Sequence, residues 1–152
     1  GSMHLKCCGT AGSSEDIKRV SQAGTINSAM QTALGGGTPR VRVFGGDLNL
    51  VGSRTPLDTL CSGLDADASA LAVATPLVLG DSSTITWLDD PSGFPPGRLD
   101  FLTFSDASAD VVNAFILDTR LLSAKALARM GLDAADSGGS DHLPVVLDIR
   151  PR

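Results

Sequence analysis

Residues 41 to 49 read Val41-Arg42-Val43-Phe44-Gly45-Gly46-Asp47-Leu48-Asn49, and the interpretation of the whole chain turns on them. Val41 and Val43 alternate with Arg42 and Phe44, which is the period of a β-strand. The run breaks at Gly45-Gly46. The strand is therefore expected to end in a tight turn there, where glycine lets the backbone approach a partner closely, here a phosphate. Asp47 and Asn49 are two positions apart, and extended geometry carried past the glycines projects both side chains to one side. One is an ionised acceptor and the other a neutral amide with donors and an acceptor, a combination suited to holding a water and a phosphoryl oxygen together. The same letters also spell an ordinary turn at a strand end.

Two further stretches bear on that choice. Residues 98 to 104, Arg-Leu-Asp-Phe-Leu-Thr-Phe, form a second candidate strand with Asp100 among apolar neighbours, and residues 140 to 147 read Ser-Asp-His-Leu-Pro-Val-Val-Leu. Gly46-Asp47-Leu48-Asn49, then Arg98-Leu99-Asp100-Phe101, then Ser140-Asp141-His142-Leu143-Pro144, in that order, resembles the endonuclease/exonuclease/phosphatase superfamily, the DNase I-like metal-dependent phosphoesterases. The resemblance runs from His4-Leu5-Lys6 through the pair Thr86-Trp87 to Ile149.

The resemblance implies an α+β fold, a DNase I-like layered β-sandwich with flanking helices, of which residues 4–150 supply the C-terminal portion. An upstream strand carrying an Asn and a later strand carrying a metal-binding Glu, both features of the family, have no counterpart in the sequence. Glu15 is the only glutamate, and it stands at a predicted helix start, where negative charge is favourable. By resemblance, Asp47 orients or deprotonates the attacking water and Asn49 hydrogen-bonds the scissile phosphate. His142 acts as general base or as a charged donor, held by Asp100, and His4 is a second acid-base or phosphate-contacting group. Asp141, with Asp47, is expected to bind Mg²⁺ or Mn²⁺, hard cations that prefer oxygen ligands. Without the Glu, three outcomes stay open: weak metal binding by these two aspartates, completion by a separate N-terminal piece, or an inactive chain.

Each assignment has a competitor. Asp100 also suits an exposed position on an edge strand, and His142 after Ser140-Asp141 also suits a turn cap. Trp87, the single tryptophan, suits packing at the core or rim as well as substrate stacking. Arg98 suits phosphate contact or pairing with an aspartate of the preceding loop.

At 152 residues the chain is the size of one domain with a respectable core. The net charge of −5, with three lysines and nine scattered arginines, leaves nucleic acid a disfavoured partner beside a generic phosphoester substrate. Cys7, Cys8 and Cys61 make no even disulfide framework and read as small buried apolar residues. No apolar run approaches a membrane span. The compartment stays open, and Gly1-Ser2, with Met3, reads as a cleavage scar outside the fold.

The remaining expectations concern elements. His4 to Cys7 suits a strand. Ser13 or Ser14 starts a helix in which Ile17, Val20, Ile26, Met30 and Leu34 form the apolar face and Lys18 and Arg19 the solvated one, until Gly35-Gly36-Gly37. Thr55 as N-cap and Pro56 open a short helix ending near Gly63. Residues 70 to 79 read as loop and short extended pieces, Thr84 to Leu88 as a strand and Asp89 to Gly97 as a loop. Strands at Leu99 to Phe104 and Val111 to Leu117 are joined by a hairpin-length link, and a helix from Leu121 to Met130 closes at Gly131. A Gly and Ser loop then delivers Asp141-His142 to a last strand, Leu143 to Ile149. Because half of a two-sheet sandwich leaves an apolar sheet face uncovered, a homodimer formed through that face is expected.

Overall fold

The structure is a computed structural model that describes residues 1–35 and 41–152. It is a mixed α and β arrangement with two sheets and three α-helices among the described residues. The first sheet runs in the order β1 (Ser2–His4), β2 (Val43–Asp47), β5 (Asp100–Phe104), β3 (Ala72–Val73). The second runs β4 (Leu77–Val78), β6 (Ala109–Ile116), β7 (Val145–Pro151). The helices are α1 (Ser14–Leu34), α2 (Thr55–Cys61) and α3 (Ala124–Met130). No helix among the described residues is long and apolar enough to cross a membrane.

The glycines at the centre of the decisive stretch do not end the strand. Gly45 and Gly46 lie inside β2, pairing with Ser2 and Met3 of parallel β1 on one side and with Leu102 and Phe101 of antiparallel β5 on the other. What comes close to Gly46 is protein backbone, not phosphate: a Cβ there would fall on the Met3 carbonyl, and φ is +139°. Only glycine combines that dihedral with that approach. Residues 1–3, set outside the fold by the sequence reading, belong to it. The terminal ammonium of Gly1 donates to Val43 O at 2.8 Å, and β1 ends at His4 where a strand reaching Cys7 was expected.

Helix α1 corrects the amphipathic reading. It begins where predicted, with Ser13 Oγ accepting from Asp16 N, but its buried positions are Asp16, Arg19, Ala23 and Asn27, while Ile17 is 65 % exposed. The reason is the irregular backbone beside it. Arg19 Nη1 donates to Lys6 O at 2.9 Å and to Cys8 O at 2.7 Å, and Nη2 reaches Asp16 Oδ1 at 3.3 Å. Asn27 Nδ2 donates to Leu60 O and Ser62 O at the carboxyl end of α2, where helical carbonyls lack intrahelical partners. Spacing alone favours burying Ile17; carbonyls that need donors select Arg19 instead. Ile26, Met30 and Leu34 do pack against the core. Gly35 caps the helix, and Gly36 and Gly37 lie outside the described residues.

Smaller departures have similar causes. Arg54, not Thr55, is the N-cap of α2, with Pro56 in its first turn. Residues 84 to 88 make isolated bridges, Trp87 to Gly97 and Trp87 to His142, instead of a continuous strand. The link from β5 to β6 joins different sheets, because β5 already has β2 and β3 as neighbours and β6 has β4 and β7. The helix expected from Leu121 divides into a 3₁₀ turn at Thr119–Leu121 and α3, which Ser123 caps and Gly131 closes in the left-handed region at φ +67°. The last strand begins at Val145, and Leu143 is buried just ahead of it. Cys7 and Cys8 are exposed free thiols and only Cys61 is buried.

Leu5, Leu48, Leu57, Leu60, Leu64 and Phe101 belong to the main core. It lies between the first sheet and the packed pair α1 and α2. The second sheet has a much smaller core of Val78, Ile116 and Leu143, flanked by Leu88 and Val145. The helical cover is thus concentrated on one sheet. Gly46→Ala is expected to destabilise the chain by about 3 kcal/mol or more, whereas Gly138→Ala, with open space around it, stays within roughly 0.5 kcal/mol. Thermal or denaturant melts of the two variants check this.

Candidate active site

The site is assembled by a strand register. Asp47 is the last residue of β2 and Asp100 the first of β5, and the two are direct antiparallel partners. Their carboxylates therefore share one end of the first sheet. His142 arrives from the loop before β7: its Nδ1 lies 2.8 Å from Asp100 Oδ2 and its Nε2 lies 4.0 Å from Asp47 Oδ2. His4, at the end of β1, places Nε2 3.3 Å from the same Asp47 oxygen. Four segments that the sequence separates by dozens of residues thus meet, and His4, Asp47, Asp100 and His142 form one cluster.

A carboxylate only accepts, so the hydrogen in the Asp100 contact is on His142 Nδ1 and the neutral ring presents Nε2 as a base. Burial pulls the His142 pKa down, but the Asp100 hydrogen bond and the charges of Asp100, Asp47 and Asp141 outweigh it, and the net shift is upward from 6.5. Asp47 is also shifted upward from the ordinary carboxylate value, first by burial and then by the charge of Asp100; the Asn49 N–H and both imidazoles oppose this. Asp141 moves the other way, lowered chiefly by a hydrogen bond from the Trp87 indole.

Asn49 is in the cluster but faces inward. It is buried in the left-handed region at φ +47°, its N–H donates to Asp47 Oδ1, and Nδ2 donates to Asp47 Oδ2 and Leu5 O. The extended continuation expected past the glycines is replaced by a turn at Asn49, a residue that tolerates this conformation. Both amide hydrogens are engaged with protein acceptors, so in this structure Asn49 orients Asp47 and offers no free donor hydrogen to a phosphate.

Asp141 lies at the margin. It is exposed, and its Oδ2 accepts from Trp87 Nε1 at 2.8 Å, which makes the tryptophan a rim residue fixed to the His142 loop. Among the described residues no three or more His, Cys, Asp or Glu side chains are grouped so as to hold a metal ion. Among the described residues Arg98 forms no ion pair with an aspartate of the preceding loop; Nη2 donates to Ala74 O and the guanidinium stacks 4.4 Å over the Phe101 ring.

The residue that sequence reasoning left without a role is Thr86. It is fully buried, and its Oγ1 accepts from Leu99 N at 3.0 Å and Asp100 N at 2.9 Å. Its carbonyl accepts from Leu143 N at 2.7 Å, next to His142. One side chain and one peptide thus tie the Asp100 segment to the His142 segment. The available signal was a threonine beside Trp87 in an alternating stretch, which marks a strand and does not reveal this pin.

A cavity of about 320 Å³ opens nearby, lined by Asp100 together with apolar residues that include Val43, Leu102, Leu143 and Val145. It contains neither Asp47 nor His142 and is the gap between the two sheets. Compared with known protein families and with curated proteins, the chain matches no family model and no curated protein.

Protonated His142 is favoured in the folded state, so its stabilising contribution is fully present below the unfolded pKa of about 6.5 and is lost as pH rises through the higher folded value. An NMR titration is expected to give a His142 midpoint above 6.5 in the native protein and a lower one in Asp100→Asn.

Proposed function

We propose that the chain is a phosphoesterase domain of the DNase I-like kind, hydrolysing a phosphodiester or phosphomonoester by in-line attack of water. The observation that carries this reading is the His142 ring held at Nδ1 by Asp100 with Nε2 directed towards Asp47. A carboxylate-held imidazole is a competent general base near neutral pH, and a second carboxylate beside it can orient the water. His142 Nε2 takes the water proton as the oxygen–phosphorus bond forms. The ester oxygen–phosphorus bond then breaks, and the leaving oxygen is protonated by solvent or by His4, which is exposed beside Asp47. Protonated imidazoles would also offset the repulsion between a phosphate and two aspartates. Mg²⁺ or Mn²⁺, when supplied, would be held through the Asp47 and Asp141 carboxylates and water and would offset charge on the phosphate, and no step above is routed through it.

A second reading is favoured by a specific observation. The Asn49 amide hydrogens are engaged within the protein, as suits a module that keeps the site and binds a phosphorylated ligand without turning it over. Self-association is proposed with either reading, because Val111 is 42 % exposed and Leu147 and Ile149 are only half-buried on the second sheet.

Hydrolysis of bis-para-nitrophenyl phosphate, measured with Mg²⁺ or Mn²⁺ supplied and again with chelator, tests the enzymatic reading. His142→Ala and Asp47→Asn are each expected to lower the rate roughly 10²-fold to 10⁴-fold. No turnover by the native protein under either condition, with phosphate still shifting the His142 resonances, selects the binding module.

A further inference from the structure

Among the described residues four strands lie at sheet edges: β1, β3 and β4, of three, two and two residues, and β7, of seven. Short edges present little to pair with; a long one presents a row of open peptide groups. In β7, Pro144 O accepts from Leu117 N and Arg152 N donates to Ser108 O, so the even-numbered peptide groups point into the sheet towards β6 and its flanks. The odd-numbered groups, at Val145, Leu147, Ile149 and Pro151, therefore point away from it. The extra residue of the bulge, Val112, is on β6, so this alternation runs through β7 uninterrupted.

We propose that two copies of the chain join edge to edge along β7, antiparallel about a two-fold axis at Ile149, which merges two three-stranded sheets into one of six. This rests on the self-association proposed above and gives it a strand and a register. Charge complementarity selects the register. With Ile149 opposite Ile149 of the second copy, Asp148 of each chain stands opposite Arg150 of the other, twice over, on the polar face. Centring on Asp148 would instead place two aspartates face to face. Arg150 reaches its own Asp110 only at 3.5 Å, and that carboxylate is also engaged by Arg152, so Arg150 is placed between Asp110 and the incoming Asp148. On the other face Leu147 meets Pro151, which lacks an N–H but still offers its carbonyl. The half-buried Leu147 and Ile149 of both copies then form one apolar strip.

Sedimentation at about 100 µM, suited to the modest affinity of a small interface, tests the proposal. The native chain is expected to be dimeric, and Asp148→Arg and Arg150→Asp each to weaken association roughly tenfold. The double exchange is expected to restore it, with circular dichroism confirming that every variant folds. Amide exchange of Leu147 and Ile149 is expected to slow with rising protein concentration while that of Asp148 does not. A monomeric native chain at that concentration overturns both the edge pairing and the self-association. A dimer indifferent to both single charge reversals, with concentration-independent exchange at Leu147 and Ile149, overturns the edge pairing alone and leaves association through the sheet face.

Discussion

Two carboxylates face each other across the end of a sheet, and much else in the structure answers to that fact. Asp47 and Asp100 are register partners of β2 and β5, and like charges directly opposite in an antiparallel pair destabilise it. The repulsion is offset by groups brought from outside the pair: His142 to both carboxylates, His4 to Asp47 and the Asn49 amide to Asp47. The acid-base character of the cluster and the stability of the sheet end are therefore one electrostatic problem. For His142 the neighbouring carboxylates outweigh burial and raise its pKa, while for Asp47 burial leads the upward shift and the charge of Asp100 adds to it.

Around the cluster, buried polar side chains do the work that regular ladders do elsewhere. Thr86 ties the Asp100 and His142 segments together, Asn49 ties Asp47 to Leu5, and Arg19 holds the loop after β1 through two carbonyls. Irregular backbone has donors and acceptors that burial would otherwise leave unmatched, at a cost of roughly 1–3 kcal/mol each. These residues therefore rigidify the loops that present His4, Asp47 and His142. A site built in this way is preorganised, which suits chemistry that depends on holding a water in line.

The two sheets are supported unequally. The first is covered by α1 and α2 and contains most of the core; the second has a few buried residues and a seven-residue edge strand. That asymmetry separates the molecule into a firm side that sets the carboxylate register and a less covered side available for association. The His142 loop enters β7 directly, so contacts along β7 lie close in sequence to the imidazole.

Much of this was legible in the residues. Apolar alternation located β2, β5 and β6, turn and capping residues located α1 and α3, and the order of the three motifs predicted that Asp47, Asp100 and His142 would converge, as they do. Those signals are local: strand period, cap chemistry and short motifs are read over a few neighbouring positions. What the sequence could not disclose was which distant atom each side chain would meet. Gly46 was legible as a site of close approach, but only the packed sheet shows that the approaching group is the β1 backbone. Arg19 reads as a solvated cation until the carbonyls of Lys6 and Cys8 are placed beside it, and Asn49 reads as a free donor until Leu5 and Asp47 are. Hydrogen-bond partners of buried polar groups are settled by long-range chain placement, which local spacing does not encode.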